Sequence, residues 1–162
     1  MGGMNMLIRP ARPDDAPALV EFNFRMAAET EDLALDPPTL ERGVRAVFAD
    51  ASKGQYFVAE IDGRVAGQLM ITHEWSDWRN ADIWWIQSVY VHPDYRRRGL
   101  FRALYRHVEA AARAAGVAVI RLYVHDTNDT GQRTYESLGM HLTHYKVMQA
   151  DIAAPPAGRS TT

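Results

Sequence analysis

Arg96, Arg97 and Arg98 stand in a row, followed by Gly99 and a long alanine-rich stretch. Before them the run Val89-Tyr90-Val91, β-branched and aromatic, stops at His92-Pro93. The pattern is that of a strand, a turn and a helix start. The first N–H groups of a helix have no intrahelical acceptor and carry the positive end of its dipole. With guanidinium groups beside them they make a phosphate site. Arginine at that end opposes the dipole, so three of them call for a compensating anion. A solvated basic turn is the alternative reading of the same residues. Further along, Asn128 and Tyr135 share a short helical segment. Asn128 reads as an N-cap, and Tyr135 either as a core aromatic or as a phenol able to protonate a leaving group.

Together these segments resemble the two signatures of the GNAT N-acetyltransferase superfamily. Tyr95 to Leu104 is similar to its acetyl-CoA-binding motif, R/Q-x-x-G-x-G/A, with Arg96 first and Gly99 fourth. Asn128 to Met140 is similar to N-x-x-A-x-x-x-Y-x-x-x-G-F, with Gly131 and Met140 as size-tolerant replacements for Ala and Phe. The resemblance spans Ile83 to Met148, while the first half of the chain matches only in its order of elements. It implies that backbone N–H groups across Arg97, Arg98, Gly99, Leu100, Phe101 and Arg102 hold the CoA pyrophosphate with Arg96. It implies that Val89, Tyr90 and Val91 lie on a splayed strand and pair with the pantetheine arm and thioester carbonyl. It places Asn128 on the pantetheine and Tyr135 near the sulfur. The departure is Phe101, where the family has Gly or Ala. A bulky side chain there must point away from the cofactor or reshape the loop.

Acetyl transfer to an amine needs the neutral amine, because an ammonium has no lone pair. Many members of the family carry a carboxylate on the strand before the cofactor loop. Here Ile83 to Val89 holds no acid. Gln87 can hydrogen-bond but cannot take a proton. The nearest acids are Glu74 and Asp82. The segment Glu74-Trp75-Ser76-Asp77-Trp78-Arg79 reads either as a cap on the sheet edge or as an aromatic wall for the acceptor. On the second reading Glu74 is the base, acting through water. Glu29, Glu31, Asp32 and Asp36 cluster at the end of the first helix, a region that lines the acceptor pocket in the family. They suggest a cationic amine acceptor, small molecule or peptide, or else form a solvated helix end.

These residues need a scaffold that 162 residues with 47% hydrophobic and 23% charged composition can build as one domain, over 1–150. Net charge is −2, which argues against nucleic acid as the partner of the whole chain. There is no cysteine, so a thiol nucleophile and an acyl-cysteine intermediate are excluded. The six histidines are scattered and suggest no metal site. No apolar run is long enough for a bilayer helix, and the start lacks a secretory pattern, so a cytoplasmic protein without membrane partner is expected. A homodimer is left open.

Along the chain, Met6 to Arg9 reads as a strand, Pro13-Asp14-Asp15 opens a helix, and Leu40, Val44, Val47 and Phe48 mark a second. Gln55 to Ile61 and Val65 to Trp75 flank Asp62-Gly63, a two-residue hairpin signal. Asp82 to Val91 is a third sheet strand. Helix Gly99 to Ala115 is closed by Gly116, followed by a strand from Val117 to His125, a helix to Leu138 and a strand from Met140 to Met148. Residues 151–162 read as a tail. The order β α α β β β α β α β describes an α/β fold with a mixed, mainly antiparallel sheet flanked by helices. The expected activity is direct acetyl transfer from acetyl-CoA to a primary amine. The alternatives are a CoA-binding module without efficient turnover and, less well supported, a nucleic-acid patch.

Overall fold

The computed structural model describes residues 3–153. It divides into two compact units, Met1–Leu122 and Tyr123–Thr162. Most of the proposed tail, 154–162, lies outside the described residues.

The first unit holds strand β1 (Met6–Pro10), helices α1 (Ala16–Glu31) and α2 (Pro37–Ala49), strands β2 (Gln55–Ile61), β3 (Arg64–Ser76) and β4 (Ala81–Val91), helix α3 (Leu100–Ala114) and strand β5 (Val119–Leu122). Local chemistry sets these boundaries. Asp36 accepts from the Thr39 N–H at 3.1 Å and caps α2, with Pro37 and Pro38 in the first helical positions, where no N–H is needed. Asp62 and Gly63 both have positive φ, 48° and 81°, as a tight hairpin turn requires, and join β2 to β3. Gly116, at φ 72°, closes α3.

The five strands lie in the order β1-β2-β3-β4-β5. All neighbours are antiparallel except β4 and β5, which α3 joins as a parallel pair. Helices cover both faces of the sheet. Tyr56 and Val58 of β2 pack with Ala16 and Leu19 of α1 and Val44 of α2. Phe57, between them, points the other way, and its ring meets His107 of α3 at 5.4 Å. The buried side of α3, with Leu100, Leu104, Tyr105, Val108 and Ala112, follows helical spacing. The expected mixed sheet flanked by helices is the fold observed.

One irregularity shapes the end of β4. Gln68 pairs with Tyr90, but Met70 pairs with Gln87, so β4 carries one more residue than β3 across this step. Ser88, in that bulge, has φ 52°. The ladder to β5 runs only from Ile83 to Ile86. Past it, Gln87–Val91 has no ladder partner on that side among the described residues. The strand expected from Val117 to His125 is therefore only Val119–Leu122. Its start is trimmed because the Val117 N–H turns back to the Ala112 carbonyl at 2.9 Å.

In the second unit, α4 (Asp129–Ser137) starts at Asn128 and closes at Gly139, φ 96°, where the Met140 N–H reaches the Tyr135 carbonyl at 3.1 Å. The strand expected from Met140 to Met148 does not form among the described residues. Its polar–apolar alternation matches a strand, but alternation alone does not make one without a ladder to join. Tyr145, Val147 and Met148 are exposed. The observed order is β α α β β β α β α.

Candidate active site

The bulge in β4 is braced from the core. Gln68 is fully buried among apolar neighbours, and its Nε2 donates to the Ser88 carbonyl at 3.0 Å. Its Oε1 is buried without a hydrogen-bond partner among the described residues. Burial raises the Tyr56 phenol above its usual range, partly offset by the Asn23 and Ser88 side chains. A core that accepts polar groups at this depth gives up stability for a fixed backbone shape. Past that bulge, Val89 and Val91 have no ladder partner on the β5 side among the described residues. Gln68 and Ser88 were missed in the sequence. The one available signal was a glutamine set between Gly67 and Leu69-Met70-Ile71 in an otherwise apolar run.

The strand leads into a loop that is tied back to α1. The Arg96 Nε donates to the Val91 carbonyl at 2.9 Å, and its Nη2 to Glu29 Oε2 at 2.7 Å. Glu29 Oε1 accepts from the Tyr90 hydroxyl at 2.9 Å, and the Arg96 guanidinium lies 5.3 Å from the Tyr90 ring centre. The Arg96 guanidinium holds the Glu29 carboxyl below its usual range. Burial, with Glu29 beside it, pushes the Tyr90 phenol up. Arg96 thus anchors the loop, and Arg97 and Arg98 are exposed. The Arg98 guanidinium lies 5.7 Å from the Tyr95 ring centre.

Arg97 and Gly99 are both left-handed, at φ 63° and 81°, and α3 begins directly after them. The first bond of the helix runs from the Ala103 N–H to the Gly99 carbonyl at 3.0 Å, so the N–H groups of the turn before it point out of the helix end. A Cβ built at Gly99 meets nothing within 4 Å, so the loop is open there, and only its φ demands glycine. The Phe101 ring lies 6.4 Å from that of Tyr105, one turn along α3. The bulky residue is accommodated against the helix, which still starts at Leu100. An open helix end with arginines beside it is a donor set that fits a pyrophosphate.

Cross-strand pairs Thr72–Trp85, Glu74–Ile83, Met70–Gln87 and Trp85–Arg121 put Thr72, Glu74, Trp85, Gln87 and Arg121 on one face, the face that α1 and α2 cover further along. Gln87 Nε2 donates to the Thr72 hydroxyl at 2.6 Å. Arg121 Nη1 donates to Glu74 Oε2 at 3.1 Å, and its guanidinium lies 5.8 Å from the Trp85 ring centre. Glu74 is engaged by that guanidinium and stays nearly half exposed. Trp75 departs from the expected aromatic wall. Side chains alternate along a strand, so Trp75, paired with Asp82, falls on the opposite face from Glu74 and Gln87. Trp85 is the aromatic beside them. Trp75 and Trp78 are 62% and 90% exposed near the hairpin tip.

The acidic cluster is less uniform than its spacing suggested. Glu29 is held by Arg96 and Tyr90, and Asp36 caps α2, with Thr39 holding its carboxyl below the usual range. Asp32 is left-handed at the end of α1, at φ 49°, and Glu31 is exposed.

In the second unit Asn128 Oδ1 accepts from the Gly131 N–H at 2.9 Å. A Cβ at Gly131 would fall 2.5 Å from Asn128 Nδ2. Glycine for alanine is therefore not a neutral swap here, because it lets the Asn128 side chain lie over the helix start. Tyr135, on the last turns of α4, is half-buried, and burial pushes its phenol up. Among the described residues no group of three His, Cys, Asp or Glu could hold a metal, and no helix is long and apolar enough to cross a membrane.

The acetyltransferase (GNAT) family model matches residues 22–140. A thialysine N-epsilon-acetyltransferase of Bos taurus is 27% identical over 143 residues, which is 83% of each chain. An acetyltransferase of Sodalis glossinidius is 35% identical over 83 residues, 51% of this chain and 54% of its own. Among solved structures, a possible acetyltransferase from Clostridium difficile 630 is 39% identical, with a TM-score of 0.86 over 92% of this chain and 99% of that one.

Proposed function

The chain belongs to the acetyltransferase (GNAT) family, and from that premise we propose that it moves an acetyl group from acetyl-CoA to a primary amine by direct transfer. The observation that carries this reading is the open edge of β4 after the Ser88 bulge, running straight into the arginine loop and the start of α3. One end of that run suits an acyl oxygen and the other a pyrophosphate. The name of the Bos taurus relative, which specifies an ε-nitrogen, supports an amine acceptor.

Acetyl-CoA supplies the acyl group already activated as a thioester. In this reading Arg97, Arg98 and the first N–H groups of α3 hold the pyrophosphate, while Arg96 keeps the loop in place. Backbone N–H groups at Val89 or Val91 take the negative charge that develops on the acyl oxygen. Tyr135 is the proton donor for the departing sulfur. Its buried phenol stays protonated through neutral pH, as a general acid must. Asn128 serves the pantetheine. Glu74, engaged by Arg121, orients the acceptor instead of deprotonating it, and the amine loses its proton to water before attack. The absence of cysteine supports attack by the amine itself.

The test is an acetylation assay with acetyl-CoA and a panel of primary amines, run beside calorimetric titration of acetyl-CoA. Amine-dependent release of CoA supports the reading. Tight binding with no turnover on any amine contradicts it and favours a binding module.

A further inference from the structure

We infer that His92 is a positioning residue: its neutral imidazole sets the turn that leads into the arginine loop, and protonating it weakens the hold on acetyl-CoA. This rests on reading that loop as the pyrophosphate site, and it adds a control by pH.

His92 stands between the end of β4 and Arg96. Its backbone is pinned twice. Its N–H donates to the Ala66 carbonyl of β3 at 2.8 Å, and its carbonyl accepts from the Tyr95 N–H at 2.9 Å. Its side chain caps the single 3-10 turn Pro93–Tyr95, where Nδ1 accepts from the Asp94 N–H at 3.2 Å. Caps are ordinarily Ser, Thr, Asp or Asn, whose oxygens accept without regard to pH near neutrality. An imidazole accepts at Nδ1 only when that nitrogen is bare, so this cap requires the neutral ring with its proton on Nε2. In the imidazolium both nitrogens donate, and the Asp94 N–H loses its acceptor.

The capped turn reaches the arginines. The His92 ring lies 6.4 Å from that of Phe22 in α1 and 5.8 Å from that of Tyr95. The Tyr95 ring lies in turn 5.7 Å from the Arg98 guanidinium. Arg96 follows the turn directly.

Charged neighbours act in both directions. Arg25 of α1, paired with Glu21, holds Nη1 3.5 Å from His92 Nε2 and opposes a second positive charge. Glu29, Tyr90 and Arg96 are bonded to one another. The contact with β3 is the uncharged Ala66 carbonyl. The Asp94 carboxylate, 3.8 Å from Nδ1, favours the charged ring, but it is 81% exposed and screened by water. A charged ring that gave its Nδ1–H to that carboxylate would still leave the Asp94 N–H uncapped. Histidine side chains change charge between about pH 5 and 8, so the cap is kept on the alkaline side of that range and lost on the acid side.

The test is calorimetric titration of acetyl-CoA at about pH 7.5 and about pH 5.5 into the wild type, His92→Asn and His92→Phe. Asparagine caps without titrating, and phenylalanine keeps a ring without an acceptor. We expect the wild type to lose about three- to tenfold more affinity than His92→Asn on acidification. At the higher pH His92→Asn should recover most of the wild-type affinity, and His92→Phe should bind weakly at both. The ligand's own phosphates titrate alike in all three proteins, so the difference between wild type and His92→Asn isolates the imidazole. Equal acid losses in those two, or undiminished binding by His92→Phe at the higher pH, overturn the inference and leave the proposed acetyl transfer standing. The wild-type ring gives a readout that needs no variant to fold. Its nitrogen NMR shifts should report the proton on Nε2 in the neutral ring, and a proton on Nδ1 overturns the inference. If the wild type binds no acetyl-CoA at either pH, the proposed function fails and the inference fails with it.

Discussion

Arg96 donates to Glu29 at 2.7 Å across 67 residues of sequence, joining the end of α1 to the loop that precedes α3. The same guanidinium holds the Val91 carbonyl at 2.9 Å, and Glu29 also accepts from Tyr90. The end of α1 and the arginine loop are thereby fixed to one strand end. Glu29→Gln should raise KM for acetyl-CoA several-fold with a smaller effect on kcat, measured by initial rates at saturating amine. An unchanged KM would show that the loop holds its shape without this link.

The Glu29 carboxyl is held below its usual range, mainly by Arg96. A depressed carboxylate contributes stability above its unfolded value, and that contribution is lost as pH falls through the folded value. The wild type should therefore lose more stability than Glu29→Gln on acidification below the ordinary carboxylate range. Both groups of the pair are more than a third exposed, so the difference should be small. Asp15 is the stronger case. It is held down by Arg9 at 2.7 Å in a pair that is mostly shielded from water. Asp15→Asn should cost about 1–3 kcal/mol at neutral pH, less at acidic pH, by chemical denaturation.

Gln68→Leu separates shape from stability. The substitution removes the buried unpaired Oε1 as well as the bond to the Ser88 carbonyl. These effects oppose each other, so stability should change by no more than about 1 kcal/mol. The bulge loses its brace, and kcat/KM should fall about tenfold. Thermal melts and kinetics on the same sample check both halves.

Gly99 is left-handed with open space where a side chain would go. Gly99→Ala should cost about 1 kcal/mol from backbone strain. It should also weaken acetyl-CoA binding by calorimetry, because a relaxed loop no longer aims the first turn of α3.

Tyr135→Phe removes the proposed proton donor. The kcat should drop while the affinity for acetyl-CoA stays within about threefold. Because burial raises the phenol, the wild-type rate should not decline on the alkaline side until above the usual phenol value near 10. An unchanged kcat in the variant would remove Tyr135 from the chemistry.

Much of the fold was legible where local chemistry dominates. Asp62-Gly63 permits almost nothing but a tight turn, and Pro37-Pro38 after Asp36 begins a helix for reasons contained in three residues. The arginine loop was legible because a helix start and its charges are neighbours in sequence. What was hidden depends on partners far along the chain. Nothing in Ser88 announces a bulge, which appears only when β3 and β4 are aligned. Trp75 looked like a neighbour of Glu74 until the period of two put them on opposite faces. Nor does anything near Glu74 announce its partner Arg121, 47 residues away. Met140 to Met148 has the rhythm of a strand but no ladder to join.

Direct acetyl transfer to an amine is tested most directly by initial rates of CoA release, measured against both acetyl-CoA and amine. Direct transfer predicts release that depends on the amine, with double-reciprocal lines that intersect, because both substrates must be bound before transfer. Parallel lines, or acetyl-CoA binding with no amine-dependent release, would contradict it.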